Sequence, residues 1–98
     1  MSLIGKGTFS ADGNGSSIAH DGGDVFIGLS GSFGSGTVTL EVSDDNGLTY
    51  YPIVDSEKTA ADGYIADLPN ECLIRMSLSG STSPSITWTM ATDPVERN

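Results

Sequence analysis

The sequence predicts an all-β fold, an antiparallel β-sandwich or jelly roll of about seven to eight strands. Three observations carry that prediction. Apolar side chains recur with a period of two in several short runs, most clearly where Val38, Leu40 and Val42 alternate with Thr37, Thr39, Glu41 and Ser43. Clusters of Gly, Ser, Asp and Asn separate these runs at short spacing. Thirteen glycines and a charged fraction of 17% suit short strands joined by turns and suit long helices poorly.

Residues 3–10 read as a first strand or an N-terminal arm (1–8), anchored by Ile4 and Phe9, and the turn cluster at 10–15 ends it. A short second strand is expected at 16–20, broken by Asp21-Gly22-Gly23-Asp24. Val25, Ile27 and Leu29 alternate with Phe26, Gly28 and Ser30 in a third. Phe33, alone inside the turn at 30–36, could plug one end of the core but is read as an exposed apolar tip. Residues 36–53 form a central hairpin: a strand, then Asp44-Asp45-Asn46-Gly47, whose residues tolerate tight turns and positive φ, then a returning strand at 48–53. Residues 55–63 are polar and suit an irregular loop or one helical turn, too short to be stable alone. Strands follow at 63–68, ended by Pro69-Asn70, then at 71–79 and 85–92, leaving 93–98 as a charged tail that need not be ordered. The expected core is Val25, Ile27, Leu29, Val38, Leu40, Val42, Ile53, Leu68, Ile74, Met76, Leu78, Ile86, Trp88 and Met90.

Ninety-eight residues suit a single domain, 1–98, with one two-layer core. Four basic against thirteen acidic residues give a net charge of −9, which repels phosphate backbones and anionic lipids. Neither a direct nucleic-acid partner nor a membrane partner is therefore expected. The first residues lack the charged start and long apolar run of a signal peptide, and the single Cys72 forms no internal disulfide, so folding in a cytoplasm is expected.

No catalytic constellation emerges. His20 is the only histidine, and no Gly-x-Ser-x-Gly elbow accompanies it. One His and one Cys cannot supply the three or four ligands zinc needs, and Cys72 falls on the apolar phase of its strand, as a buried small hydrophobe would. Gly5-Lys6-Gly7-Thr8 lacks the spacing of a phosphate-binding loop, and residues 44–47 lack the alternating acids and closing Glu of a calcium loop. No cofactor and no metal are expected. Tyr50, Tyr51, Tyr64 and Trp88 could form a sugar-stacking platform or serve as ordinary strand residues.

Ser43-x-Asp45-x-Gly47-x-Thr49-Tyr50 resembles the Asp-box, S-x-D-x-G-x-T-W, a hairpin of sialidases and many unrelated β proteins, with Tyr50 in place of the tryptophan. The resemblance implies that Ser43, Asp45, Gly47 and Thr49 tie down the turn and carry no catalytic role. Sialidase activity would also need an arginine cluster, and the chain has only Arg75 and Arg97.

A wider resemblance runs from Val25 to Met90. Leu29-Ser30-Gly31-Ser32-Phe33 is followed by Gly-x-Val-x-Leu at 36–40, the Ser-x-Asp-x-Gly hairpin, Gly-Tyr-x-x-x-Leu-Pro at 63–69, and Ile74, Arg75, Leu78, Ser79 and Gly80. In that order these motifs resemble a small β module of tailed-bacteriophage structural genes. The resemblance implies a non-enzymatic virion protein, assembled in the host cytoplasm, most simply a capsid decoration or cement protein that binds the major capsid protein or another virion protein. Expected contacts are the arm residues Leu3, Ile4 and Lys6 and the Phe33 tip, which place apolar groups outside the expected core. A homo-oligomer is expected, because exposed sheet edges need cover. The alternative is a carbohydrate- or receptor-binding module of a phage fibre, spike or tail.

Overall fold

The computed structural model describes residues 2–68 and 71–92, in which there are nine strands and no helix. They are β1 (Ser2–Phe9), β2 (Gly13–Asn14), β3 (Ile18–His20), β4 (Gly23–Ser32), β5 (Thr37–Ser43), β6 (Tyr51–Pro52), β7 (Asp62–Leu68), β8 (Cys72–Ser79) and β9 (Ser85–Thr92). Every pairing is antiparallel. One sheet has the order β1-β9-β4-β7; the other runs β2-β8-β5-β6, with β3 also on β8. Because β2 and β3 share one flank of β8, they act as a single edge strand interrupted at 15–17, where Gly15 N–H still donates to Met76 O at 2.8 Å.

Those pairings describe a long ribbon rolled on itself. β1 pairs with β9, β2 and β3 with β8, β4 with β7, and β5 with β6; the roll is closed by β4 on β9 and β5 on β8. This is a jelly roll, one of the two architectures the alternation predicted. Apart from β2–β3 and the β5–β6 hairpin, successive strands cross from sheet to sheet, so their alternating apolar side chains meet in one interior layer.

The core holds Val25, Ile27 and Leu29 of β4, Val38 and Leu40 of β5, Ile74, Met76 and Leu78 of β8, Ile86, Trp88 and Met90 of β9, and Leu68 of β7, all as expected. Each large side chain so buried contributes about 1.5–3 kcal/mol before ordering entropy is subtracted. Phe9, Ala66 and Cys72 join it. Val42 and Ile53, expected in the core, are half-buried against it, because they lie where the sheet thins to the two-residue β6. Ser56 is the buried polar residue that fastens this margin: its Oγ accepts from Leu40 N at 3.2 Å and donates to Ile53 O at 2.6 Å.

Several expectations are corrected. Phe33 is not an exposed tip; it is only 6% exposed and sits in the core, because the turn at 33–36 folds over one end of the roll. Gly36 N donates to Phe33 O and Thr82 N to Gly34 O, both at 2.8 Å, which holds that turn down. Of the two expectations for the first residues, strand or arm, the strand holds: they form β1, a full edge strand with a bulge between Leu3 and Gly5. The returning arm of the hairpin, expected over 48–53, shrinks to Tyr51–Pro52, since the turn itself consumes 44–50. Residues 55–61 form no helical turn; Lys58 bridges Val38 through both backbone groups at 2.8 and 2.9 Å. The terminator Pro69-Asn70 and the tail 93–98 lie outside the described residues.

Pro52 sits on the outermost strand of its sheet, where its missing N–H breaks no ladder.

Candidate functional site

The Asp-box-like turn is tied as its residue types require. Ser43, fully buried, donates to Asp45 Oδ1 at 2.7 Å and accepts from Gly47 N at 2.9 Å. Asp45 Oδ1 also accepts from Thr49 N at 2.9 Å. Asn46 and Gly47 take the left-handed conformations (φ 64° and 89°) that let the chain reverse. Tyr50 stands where the Asp-box carries tryptophan. Its ring is covered by the Arg75 guanidinium at 3.7 Å, its hydroxyl bonds to Ser17 Oγ, and Arg75 Nε donates to Glu41 Oε1 at 2.7 Å. All four turn residues therefore serve the backbone.

The hydrogen bonds from Ser43 and then Thr49 hold the Asp45 carboxyl below its ordinary 3.8. At the opposite end of the roll, Ser81 and Gly80 do the same for Asp12, which clasps the β8–β9 loop through both backbone N–H groups at 3.0 Å. A depressed carboxylate stabilises the fold above its unfolded value, and that contribution disappears as pH falls through the lower folded value. Asp45→Asn, which keeps an oxygen acceptor but loses the charge, is expected to melt below the parent at neutral pH. The gap closes as the pH is taken down to about 2, read from thermal melts across that range.

Beside this turn lies an open cleft of about 580 Å³, lined by Ala19, His20, Asp21, Ser43, Asp44, Asp45, Asn46, Glu71, Cys72 and Leu73. Its rim is acidic. The two reactive side chains in its wall are occupied by packing: buried His20 reaches Gly23 O through Nε2 at 3.2 Å, and burial pushes the Cys72 thiol up from its ordinary value. Among the described residues no three His, Cys, Asp or Glu side chains gather to hold a metal ion. Across the molecule, burial and then the Asp62 charge push the Tyr64 phenol up to about 12. Each of these pKa shifts belongs to turn capping or packing.

The aromatics are not brought together. Trp88 is in the core, Tyr64 packs against it beneath Lys58, Tyr50 lies under Arg75, and Tyr51 alone is exposed. Of the expected contact residues, Leu3 is 61% exposed, Lys6 is exposed, and Ile4 is half-buried at the β1 bulge. Leu3 also belongs to a feature that the sequence reading missed. Register pairs Leu3 with Ala91, Ala91 with Phe26, and Phe26 with Ile65, giving an apolar row across the outer face of all four strands. The available signal was a large apolar residue on the polar phase of its strand, at Phe26 and at Ile65. A second exposed group, Leu48, Tyr51 and Val54, edges β6 on the other sheet.

Fold and surface thus define an all-β jelly-roll module whose open apolar groups lie on a sheet face and on a strand edge. No family model, no curated protein and no solved structure matches the chain.

Proposed function

We propose that the chain is a non-enzymatic structural protein of a tailed-bacteriophage virion, a decoration or cement protein that docks on the outer surface of the assembled head. The ordered motifs from Val25 to Met90 suggest the class. The observation that carries the docking is the β6 rim, where Leu48 and Val54 are 86% and 85% exposed beside Tyr51 on an otherwise acidic surface. Apolar groups clustered in this way are stabilised by cover from a partner. A partner that binds the assembled shell and not its free subunits stabilises the shell by mass action. Jelly rolls serve viral shells and lectins alike, so the fold by itself favours neither reading.

Purified protein is expected to co-sediment in near-stoichiometric amounts with heads of the encoding phage that lack it. Leu48→Asp combined with Val54→Asp should weaken that binding at least about tenfold while leaving the melting temperature unchanged. Absence of co-sedimentation overturns the reading. Glycan-array binding that Tyr51→Ala abolishes would replace it with a fibre or spike module.

A further inference from the structure

We propose that the cleft beside the Asp-box-like turn is a binding site for a guanidinium group that comes from outside the chain. Its volume, about 580 Å³, falls among the roughly 300–1,000 Å³ of small-molecule sites. Two independent observations converge on it.

The first is His20, which is 7% exposed and stands in the cleft wall. Packing uses only one of its two ring nitrogens. Gly23 O is a carbonyl and can only accept, so Nε2, 3.2 Å away, carries the proton of the neutral ring. Nδ1 is then a bare lone pair with no hydrogen-bond partner among the described residues. It is not sealed in the interior, as the unpartnered Tyr64 hydroxyl is, so it opens on the space that His20 lines. A lone pair in that position calls for a donor on the ligand.

The second is charge. Asp21, Asp44, Asp45 and Glu71 line the cleft, and none of the lining residues is a Lys or Arg. Asp45 is kept charged by the turn bonds that hold its carboxyl below the ordinary value. The described basic residues are engaged or distant: Lys58 pairs with Asp62, Arg75 pairs with Glu41, and Lys6 lies on β1 of the other sheet. Acidic groups around a concavity focus a negative potential into it.

Their spacing decides which cation fits. Among the described residues no three His, Cys, Asp or Glu side chains gather to hold a metal ion. The acceptors stand apart, so the ligand must carry donors on several sides. A guanidinium presents five N–H groups in a fixed plane, and can donate to Nδ1 from one edge while pairing with a carboxylate through another. An ammonium concentrates its donors at one point and fits less well. The inference stands apart from the virion reading, which is tested through Leu48 and Val54.

Nitrogen-15 NMR of the full chain, titrated with acetyl-arginine-amide to ~20 mM in ~0.05 M salt, tests the proposal. The expected result is a saturable shift of the His20, Asp21, Asp44 and Glu71 amides together with the His20 Nδ1 ring resonance. Acetyl-citrulline-amide, similar in shape but uncharged, should move none of them. Asp21→Asn with Glu71→Gln, both at exposed positions, should raise the dissociation constant at least about tenfold. Asp55→Asn with Glu57→Gln removes the same charge from the loop before β7 and should leave binding unchanged. Agmatine, a free small cation with the same head group, forms the second arm. Tighter binding of the arginine amide assigns the site to a protein side chain, and tighter binding of agmatine assigns it to a free small molecule; both support the site. No saturable shift overturns the proposal, as does an Nδ1 resonance that stays still while the amides move. Binding that survives the Asp21 and Glu71 changes, or acetyl-lysine-amide binding as tightly as the arginine amide, also overturns it.

Discussion

Trp88→Ala is expected to lower the stability of the fold by about 3–5 kcal/mol. The indole is buried at the side of the roll where β1 leaves one sheet and the interrupted β2–β3 edge closes the other. The backbone has been cleared around it. A Cβ added at Gly7 would approach the ring to 2.6 Å, and one at Gly15 to 3.0 Å. Glycines pressed that closely against a ring cannot refill its place once it is gone, so the cavity stays open. A loss of this size is a large share of the roughly 5–15 kcal/mol that holds a typical domain. It corresponds to a fall in melting temperature of about 4–8 °C for each kcal/mol in a chain of this length. Urea titration followed by far-ultraviolet circular dichroism measures it directly. A loss below about 1 kcal/mol would mean that the ring does not fill that space.

Gly31→Ala is expected to cost about 2–4 kcal/mol, through backbone strain and overpacking together. Gly31 lies within β4 at φ 106°, and a Cβ there would fall 2.1 Å from the carbonyl oxygen of Ser85 on β9. The obstacle is main chain, so no rotamer change relieves it; the β4–β9 ladder that closes the roll must shift. Gly80→Ala supplies the comparison. Its φ of 71° lies in the left-handed region that alanine enters at a modest cost, and nothing lies within 4 Å of the added carbon. It should cost only the conformational part, about 1–2 kcal/mol. Equal losses in the two variants would contradict the steric account.

What the sequence disclosed followed from periodicity. β8 and β9 alternate along nearly their whole length, and β4 and β5 do so over residues 25–29 and 38–40; their inward residues could be named because a strand buried on one face permits only one phase. The turn at Ser43 to Thr49 was legible because its residue types make local hydrogen bonds whatever the rest of the chain does. Phe33 was misplaced because its burial depends on where the turn at 33–36 lands, which only the bonds to Phe33 O and Gly34 O decide. The strand expected at 16–20 answers to β3, whereas β2 falls inside the turn cluster expected at 10–15, since pairing with β8 is the only thing that marks Gly13–Asn14 as strand. The apolar row on the outer face was beyond reach for a related reason. Leu3, Phe26, Ile65 and Ala91 are far apart in sequence and become neighbours only through the register of three separate pairings.

Pro52 has a consequence for crowding. An outermost strand with bare N–H groups invites a neighbouring chain to continue the ladder, and repeated continuation ends in filaments. Here that strand is two residues long and one of them has no hydrogen to donate. The β6 side of the sheet therefore cannot recruit strands one after another, and copies held close together there meet through side chains alone.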